Sequence, residues 1–315
     1  MSSLITYSPA YTLVPTYECF NRCSYCNFRT DPRNDTWLSL ENAKRRLISL
    51  QQKGVWEILI LSGEVHPNSP RRQRWFQHIY DLCELALELG FFPHTNAGPL
   101  FYEEMKQLKQ VNVSMGLMLE QITPKLLETV HKNAPSKQPE IRLQQLAYAG
   151  ELKIPFTTGI LLGIGETEAD WWESLSAIAQ QHETYQHIQE VILQPHRLGS
   201  KQSWKKDGFN LKEFPKLIQK SREILPSDIA IQIPPNLIPD SQFLLTCIKA
   251  GVTDLGGIGI IDEVNPDYPH LHVDSLQKIL NEEGWKLKPR LPIYPQYYHW
   301  LSPRLKAQIS YIIDE

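Results

Sequence analysis

The chain has 315 residues, of which 42% are hydrophobic and 21% charged, and its formal net charge is −3. This composition is that of an ordinary globular protein, and the absence of a broad basic excess argues against a nucleic-acid partner, which normally needs a concentrated Lys/Arg patch. No run of eighteen apolar residues and no secretory leader is found, so we expect a cytoplasmic protein that does not associate with membranes.

A motif of three cysteines follows the first predicted strand, residues 11–17. Cys19, Cys23 and Cys26 stand in C-x3-C-x2-C spacing. Thiolates are the natural ligands of iron-sulfur clusters, and three cysteines would leave one iron of a 4Fe-4S cluster open for chemistry. Zinc is the competing metal, although zinc modules usually arrange their ligands as two separated pairs. Three buried cysteines without a metal fit less well, because the residues between them are polar.

The remaining two cysteines, Cys83 and Cys247, fall in apolar helical patterns and are expected in the core. An odd total of five, with three in one motif, argues against a disulfide framework. Cysteine usage therefore indicates a reducing compartment.

Strand and helix patterns alternate along the chain after an irregular entry segment, residues 1–11. Eight strands are predicted, at residues 11–17, 57–61, 91–98, 111–120, within 154–167, 188–196, 229–234 and 253–259. Helices are predicted between them, the first capped by Ser39 and another ending at Thr129. We expect an α/β fold, a single-domain (β/α)8 TIM-type barrel over residues 1–284, with a C-terminal capping extension, 285–315, packed on it.

Polar groups at the carboxyl ends of barrel strands are the candidate ligand contacts, because that face carries the active sites of such barrels. His94 and His196 are the candidate general bases by residue type. The candidate substrate contacts are Asn96, Gln194, Asp262 and Asn265.

Two glycine-containing motifs also lie at strand ends. Residues 62–64, Ser-Gly-Glu, close the second strand and could be an ordinary turn. Gly159-x-Leu161-x-Gly163-x-x-Glu166 places glycines at alternating positions of the fifth strand, which admits close approach of a flat ligand or tight packing within the barrel. Glu166 could instead cap the helix beginning near residue 168.

The cysteine spacing resembles the signature of the radical S-adenosylmethionine (SAM) enzymes, and both glycine motifs resemble later elements of that family. The resemblance implies a 4Fe-4S cluster held by the three cysteines, with the amino and carboxylate groups of SAM on the open iron. It further implies reductive cleavage of SAM to methionine and a 5'-deoxyadenosyl radical. The residues it places around SAM are Gly63, Glu64, Glu120, Arg142 and Gly163. For Arg142 a surface salt bridge is the alternative.

A narrower resemblance is to the CofG-type subunits of 7,8-didemethyl-8-hydroxy-5-deazariboflavin (FO) synthase. It is carried by CFNRCSYCNFR (19–29), PHTNAG (93–98), SMGLMLE (114–120), HIQEVILQ (187–194), NPDYP (265–269) and RLPIYP (290–295). One departure is APSK at 134–137, where the family more often shows SPGK.

This resemblance implies that 5-amino-5-(4-hydroxybenzyl)-6-(D-ribitylimino)-5,6-dihydrouracil, hereafter the adduct, is cyclised to FO with release of ammonia, methionine and 5'-deoxyadenosine. A CofH-type partner would supply the adduct, and an external donor such as flavodoxin or ferredoxin would supply electrons. The alternatives are the CofH-type reaction itself or a radical SAM enzyme acting on another tyrosine-derived or futalosine-like substrate. Outside this chemistry, the alternatives are a non-catalytic zinc-binding module, perhaps for RNA, and an iron-sulfur electron carrier, although such carriers are small and satisfy all four irons.

Overall fold

The computed structural model describes residues 4–206 and 208–313. Within them lie nine strands: β1 (Leu4–Leu13), β2 (Glu57–Leu61), β3 (Phe92–Asn96), β4 (Ser114–Gly116), β5 (Phe156–Leu162), β6 (Ile188–Pro195), β7 (Ala230–Gln232), β8 (Asp254–Ile258) and β9 (Lys286–Pro289). The helices of the same residues are α1 (Leu40–Ile48), α2 (Arg72–Glu88), α3 (Tyr102–Leu108), α4 (Pro139–Glu151), α5 (Glu168–Tyr185), α6 (Phe214–Ile224), α7 (Ser241–Ala250), α8 (Val273–Glu282) and α9 (Pro303–Ile313). Short 3-10 turns occupy Pro124–Glu128, Pro135–Lys137, Leu211–Glu213, Pro235–Leu237 and Pro295–Trp300.

Strands β1 to β8 form a closed parallel barrel in chain order. Closure occurs at β1, which pairs with β2 on one side and with β8 on the other. Helices between consecutive strands cover the outside, so strands such as β5 are buried along their whole length. The predicted (β/α)8 TIM-type barrel is confirmed.

The first strand begins earlier than predicted. Residues 4–13 form β1, whereas the sequence analysis assigned residues 1–11 to an irregular segment and residues 11–17 to the strand. The early half of β1 is held by β9, from Leu4↔Lys286 to Tyr7↔Pro289. Because that partner lies 282 residues away in the chain, local sequence patterns did not reveal the pairing.

Local turn chemistry sets several helix boundaries. The predicted Ser39 cap of α1 is confirmed, since its side chain accepts a hydrogen bond from the Asn42 N–H at 3.2 Å. The α5 cap is Thr167 and not Glu166, because Thr167 and Asp170 form a reciprocal capping box. The segment predicted to be helical up to Thr129 contains only a 3-10 turn, which starts at Pro124.

All five cysteines are free thiols, and Cys83 and Cys247 are fully buried in α2 and α7 as predicted. Among the described residues, no helix is both long enough and apolar enough to span a bilayer.

The segment after β9 enters the end of the barrel opposite the strand carboxyl termini. Arg290 donates to Asp254 Oδ2 at 2.6 Å and to Glu190 Oε2 at 2.7 Å, and both carboxylates lie in the first residues of their strands. The Pro292 carbonyl accepts hydrogen bonds from the Ser114 hydroxyl and from the Gln189 amide, the latter at 3.1 Å. This segment therefore closes the bottom of the barrel, and we call it the Arg290 plug.

Candidate active site

A cavity of ≈ 360 Å³ runs inside the barrel from the strand carboxyl ends to the Arg290 plug. Alternate residues of each strand line it, for example Glu57, Leu59 and Leu61 of β2. Ten of the predicted site residues reach it: Cys26, Glu64, His94, Asn96, Glu120, Arg142, Gln194, His196, Asp262 and Asn265. Cys19, Cys23, Gly63 and Gly163 are not among its lining residues.

Backbone hydrogen bonds fix the cysteine loop above one side of the cavity. The Cys19 N–H donates to the Thr30 carbonyl at 3.1 Å, and the Cys26 N–H donates to the Cys23 carbonyl at 3.1 Å. The loop is tied to the 130–133 segment through Arg22 and Ser24, whose N–H groups donate at 2.7 and 3.0 Å. The backbone of the cysteine loop is thus fixed by the fold before any ligand binds.

The donor set fits an iron-sulfur cluster better than a single zinc ion. Burial raises the pKa of Cys19 to about 11 and of Cys23 to about 12, and nearby thiols add to both shifts. These thiols are therefore protonated unless a cationic group binds and displaces the protons. Among the described residues, no three Cys, His, Asp or Glu side chains converge to hold one metal ion. Three thiolates on one zinc would lie about 3.8 Å apart, whereas each cysteine of a cluster binds its own iron.

Glu64 is held at the cavity wall by three donors from different parts of the chain. Asn21 donates to its Oε2 at 2.8 Å, the Ser136 hydroxyl donates to the same oxygen, and Arg142 donates to Oε1 at 3.2 Å. Gly98 makes room, because a Cβ there would lie 2.3 Å from Glu64 Cγ. The Arg142 side chain is 2% exposed, so the alternative of a surface salt bridge is wrong.

Glu120 forms a second buried ion pair beside the first. It has φ of +66° and, beyond the end of β4, forms an isolated bridge with Ile160 of β5, where its N–H donates to the Gly159 carbonyl at 3.2 Å. Its carboxylate accepts a hydrogen bond from Lys137, and both side chains are largely buried. Although burial alone would raise it, the pKa of Glu120 is lowered by the charges of Lys137 and Arg142. The carboxylate is therefore ionised at neutral pH.

Gly63 and Gly163 have packing reasons to be glycine. A Cβ at Gly63 would lie 2.1 Å from the Glu18 carbonyl oxygen, beside the cysteine loop. Gly163 has φ of +88°, and a Cβ there would lie 2.3 Å from the Phe209 nitrogen. Glu166 accepts hydrogen bonds from the Gly163 and Ile164 N–H groups, so it shapes this turn. A contact of either glycine with SAM stays a prediction.

His94 is a neutral hydrogen-bond acceptor deep in the cavity. The Ser114 hydroxyl donates its single hydrogen to the Pro292 carbonyl, so His94 Nδ1, at 2.7 Å from that hydroxyl, must be the donor. The unprotonated Nε2 then faces Gly116, where a Cβ would lie 2.8 Å away. Burial, with a smaller contribution from Arg290, lowers the pKa of His94 to about 3.

His196 lies higher in the cavity, near the cysteine loop. Its Nε2 donates to Gln202 Oε1 at 3.1 Å, since the Gln202 amide nitrogen is committed to the Trp204 carbonyl at 3.0 Å. Its Nδ1 is buried and has no partner among the described residues, and burial lowers the pKa of His196. Next to it, Tyr25 is hydrogen-bonded to His131 at 3.0 Å. His196 is thus better placed than His94 to accept a proton near the mouth.

The four predicted substrate contacts differ in whether their side chains are already hydrogen-bonded within the protein. Asn96 and Gln194 make no side-chain hydrogen bond with another described residue, so both amides are available to a ligand. Asp262 accepts hydrogen bonds from the N–H groups of Val264 and Asn265 and from the Asn236 and Asn265 amides, at 2.9 to 3.0 Å. Asp262 therefore organises the loop after β8.

Several residues of the site were not predicted. Lys137 and Ser136 lie in the 134–137 loop, which drew notice only as a departure from a family pattern. The Glu190, Asp254 and Arg290 cluster was also missed. A charged residue inside the apolar run of β6 was the one local signal that could have indicated Glu190.

Comparison with known proteins places this site in a family. The model of the radical SAM superfamily matches residues 13–178. A 7,8-didemethyl-8-hydroxy-5-deazariboflavin synthase of Trichormus variabilis is 66% identical over 306 residues, which cover 97% of this chain and 90% of that protein. The enzyme of the same name from Trichodesmium erythraeum is 61% identical, over 98% of this chain and 97% of its own.

Solved structures support the fold alone. The [FeFe]-hydrogenase maturase HydG has a TM-score of 0.76 at 17% identity, over 97% of this chain and 68% of its own. Methylornithine synthase (PylB) has a TM-score of 0.68 at 16% identity, over 91% of this chain and 84% of its own.

Proposed function

The chain belongs to the radical SAM superfamily and, within it, to the 7,8-didemethyl-8-hydroxy-5-deazariboflavin (FO) synthases, and from this we infer that it cyclises the adduct to FO with release of ammonia, methionine and 5'-deoxyadenosine. The observation that carries the inference is identity of 55–66% to curated FO synthases over nearly the whole chain. The geometry agrees with it, because three free thiols lie beside a barrel cavity with acidic, basic and amide groups on its wall.

Cys19, Cys23 and Cys26 are the residues that would hold a 4Fe-4S cluster. When bound, the cluster and SAM supply the 5'-deoxyadenosyl radical that removes a hydrogen atom from the substrate. For SAM we propose Glu64 as the acceptor for its ammonium group and Arg142 as the donor to its carboxylate, with Glu120 near the ribose. The buried ion pairs fix these groups in place before ligands arrive.

The chain's own contributions to the reaction are orientation, exclusion of water and proton transfer. The partly buried Tyr25 and the cysteine loop cover the mouth side of the cavity. The available Asn96 and Gln194 amides suit the carbonyl and N–H groups of a uracil ring. His196 is the base that we propose for the proton lost on ring closure, through its unpartnered Nδ1.

A loss of the Lys137 charge is expected to weaken both the fold and SAM binding. Lys137→Met would leave Glu120 buried without its cation, and we expect the free energy of unfolding to fall by about 3 kcal/mol. We also expect the Kd for SAM to rise by about tenfold, because the carboxylate is no longer held ionised in place. Urea unfolding of the cluster-free protein and equilibrium binding of SAM to the reconstituted enzyme measure the two effects.

The matched control is Lys132→Met, an exposed lysine of the same loop. It should change neither the free energy of unfolding nor the Kd for SAM. Equal effects of the two substitutions would contradict the assigned role of the Lys137–Glu120 pair.

A substrate comparison tests the proposed reaction. The reconstituted enzyme is given either the adduct or the pair of tyrosine and 5-amino-6-(D-ribitylamino)uracil, each with SAM and a reductant. We expect FO from the adduct and no reaction of the pair. Consumption of tyrosine without FO would instead show the CofH-type reaction.

We further propose that a CofH-type protein supplies the adduct and that a flavodoxin or ferredoxin supplies the electron, with both reactions in the cytoplasm. The proposal is supported by the chemistry of the substrate, which has to be assembled from two precursors before cyclisation. Replacing dithionite by a reduced flavodoxin in the same assay checks the electron donor, and failure to support turnover would argue against that donor.

A further inference from the structure

The lower third of the barrel cavity carries polar groups for which the proposed reaction has given no role. We call the inward-facing set Glu57, His94, Glu190 and Gln232 the floor of the cavity; all four line it, and each is at least nine-tenths buried. Strand register places them in two adjacent layers, with Leu59 opposite His94 and Ile192 opposite Gln232. The floor lies directly above the Arg290 plug.

The floor groups are mostly free hydrogen-bond acceptors. His94 offers the unprotonated Nε2, because its Nδ1 donates to Ser114. Glu190 accepts a hydrogen bond from Arg290 at 2.7 Å and has the Tyr294 hydroxyl beside it. Glu57 forms no ion pair with a described residue and has the Ser8 hydroxyl as a neighbouring donor. The Gln232 amide hydrogen-bonds to no described side chain or backbone group, although it is only 8% exposed. Because these acceptors face the cavity, they are available to a ligand that carries hydrogen-bond donors.

The position of the floor selects the part of the substrate that reaches it. Glu190 precedes Gln194 by four residues on β6 and His94 precedes Asn96 by two on β3, so the floor lies about 7 to 13 Å along the strands from the amides at the mouth. The atom that loses its hydrogen must stay near the cysteine loop, at the mouth. The uracil ring presents two carbonyl acceptors beside its N–H donors, and those carbonyls would oppose the acceptors of the floor, whereas each of the four hydroxyls of the ribityl chain can donate.

We propose that the floor binds the ribityl chain of the substrate, whose hydroxyls donate to Glu57, Glu190 and His94, so that the substrate enters chain first and its rings remain at the mouth. This inference rests on the proposed function. It makes Glu57, Glu190 and Gln232 specificity-determining residues for a polyol, beyond the residues assigned to SAM. Burial raises the pKa of Glu190 and Arg290 opposes this shift, so the charge of this carboxyl group depends on the donors around it.

The test uses two substrates, the adduct itself and a counterpart in which a propyl group replaces the ribityl chain. For the wild-type enzyme we expect the KM of the propyl counterpart to be higher by about tenfold or more. Glu57→Gln should raise the KM of the adduct by about tenfold, leave that of the propyl counterpart within about twofold, and leave kcat nearly unchanged. The control is Glu88→Gln, at an exposed residue of α2, and it should change the KM of neither substrate.

Gln232→Ala is the second variant, because Gln232 has no hydrogen bond to lose within the described chain and its replacement should not disturb folding. It should also reduce the difference in KM between the adduct and its propyl counterpart. An equal rise in both KM values, or no change in either for both variants, would overturn the ribityl assignment. A wild-type enzyme that forms no FO from the adduct would instead contradict the proposed function, so the two failures are distinguishable.

Discussion

Cys23→Ala is expected to abolish both 5'-deoxyadenosine and FO formation and to leave the barrel folded. One of three thiolates would be lost from the set that holds the cluster, and an open iron can no longer be presented to SAM. The loop that carries Cys23 lies outside the barrel core, and its backbone contacts with residues 130–133 come from Arg22 and Ser24. Iron content, 5'-deoxyadenosine formation and circular dichroism measure the three parts of this prediction.

The control is Cys247→Ala, which removes a thiol of the same kind from the buried face of α7. We expect it to cost about 1 kcal/mol of stability through lost packing and to retain iron and turnover. Wild-type turnover by Cys23→Ala would remove the assignment of the cysteine loop as the cluster site.

Arg290→Met is expected to give the largest loss of stability, about 5 kcal/mol. Arg290 is the cation that offsets Asp254 and Glu190, and all three side chains are at most 11% exposed. Removing it leaves two buried carboxylates uncompensated, which is far more costly than loss of an exposed pair. Asp254 retains hydrogen-bond donors in Thr6, Tyr294 and the Gly256 N–H. Most of the lost stability should therefore come from Glu190. Urea unfolding of the cluster-free protein measures the change.

Two comparisons sharpen this prediction. Arg304→Met breaks the 2.7 Å pair with Glu84 at the surface, where Arg304 is 48% exposed, and should cost no more than about 1 kcal/mol. Adding Glu190→Gln to Arg290→Met should recover part of the lost stability, because one unpaired charge is then removed. Similar losses for Arg290→Met and Arg304→Met would contradict the account of the barrel plug.

The sequence was sufficient to predict the barrel because its evidence is local. Each apolar strand followed by an amphipathic helix can be identified within about thirty residues, and β2 has the predicted bounds, Glu57–Leu61. Parallel strands in chain order then bring their carboxyl ends to one face. This geometry is why Glu64, Asn96, Glu120 and Gln194 were found together at one cavity although they lie far apart in the chain.

The missed residues depend on contacts that no local pattern encodes. Arg290 meets Glu190 and Asp254 only because the chain returns through β9 into the barrel. Lys137 reaches Glu120 from a 3-10 turn whose sequence has no periodicity. The RLPIYP motif was noticed for its resemblance, but its role as the plug became clear only from the ion pairs and from the Pro292 carbonyl.

The most direct test of the central claim is a single assay on the wild-type chain. The protein is purified anaerobically, reconstituted with iron and sulfide, and incubated with dithionite, SAM and the adduct while FO fluorescence and 5'-deoxyadenosine are followed together. We expect both products to appear, in step with each other. Formation of 5'-deoxyadenosine without FO would contradict the assigned reaction, and an iron-loaded protein that forms neither product would contradict the radical SAM chemistry itself.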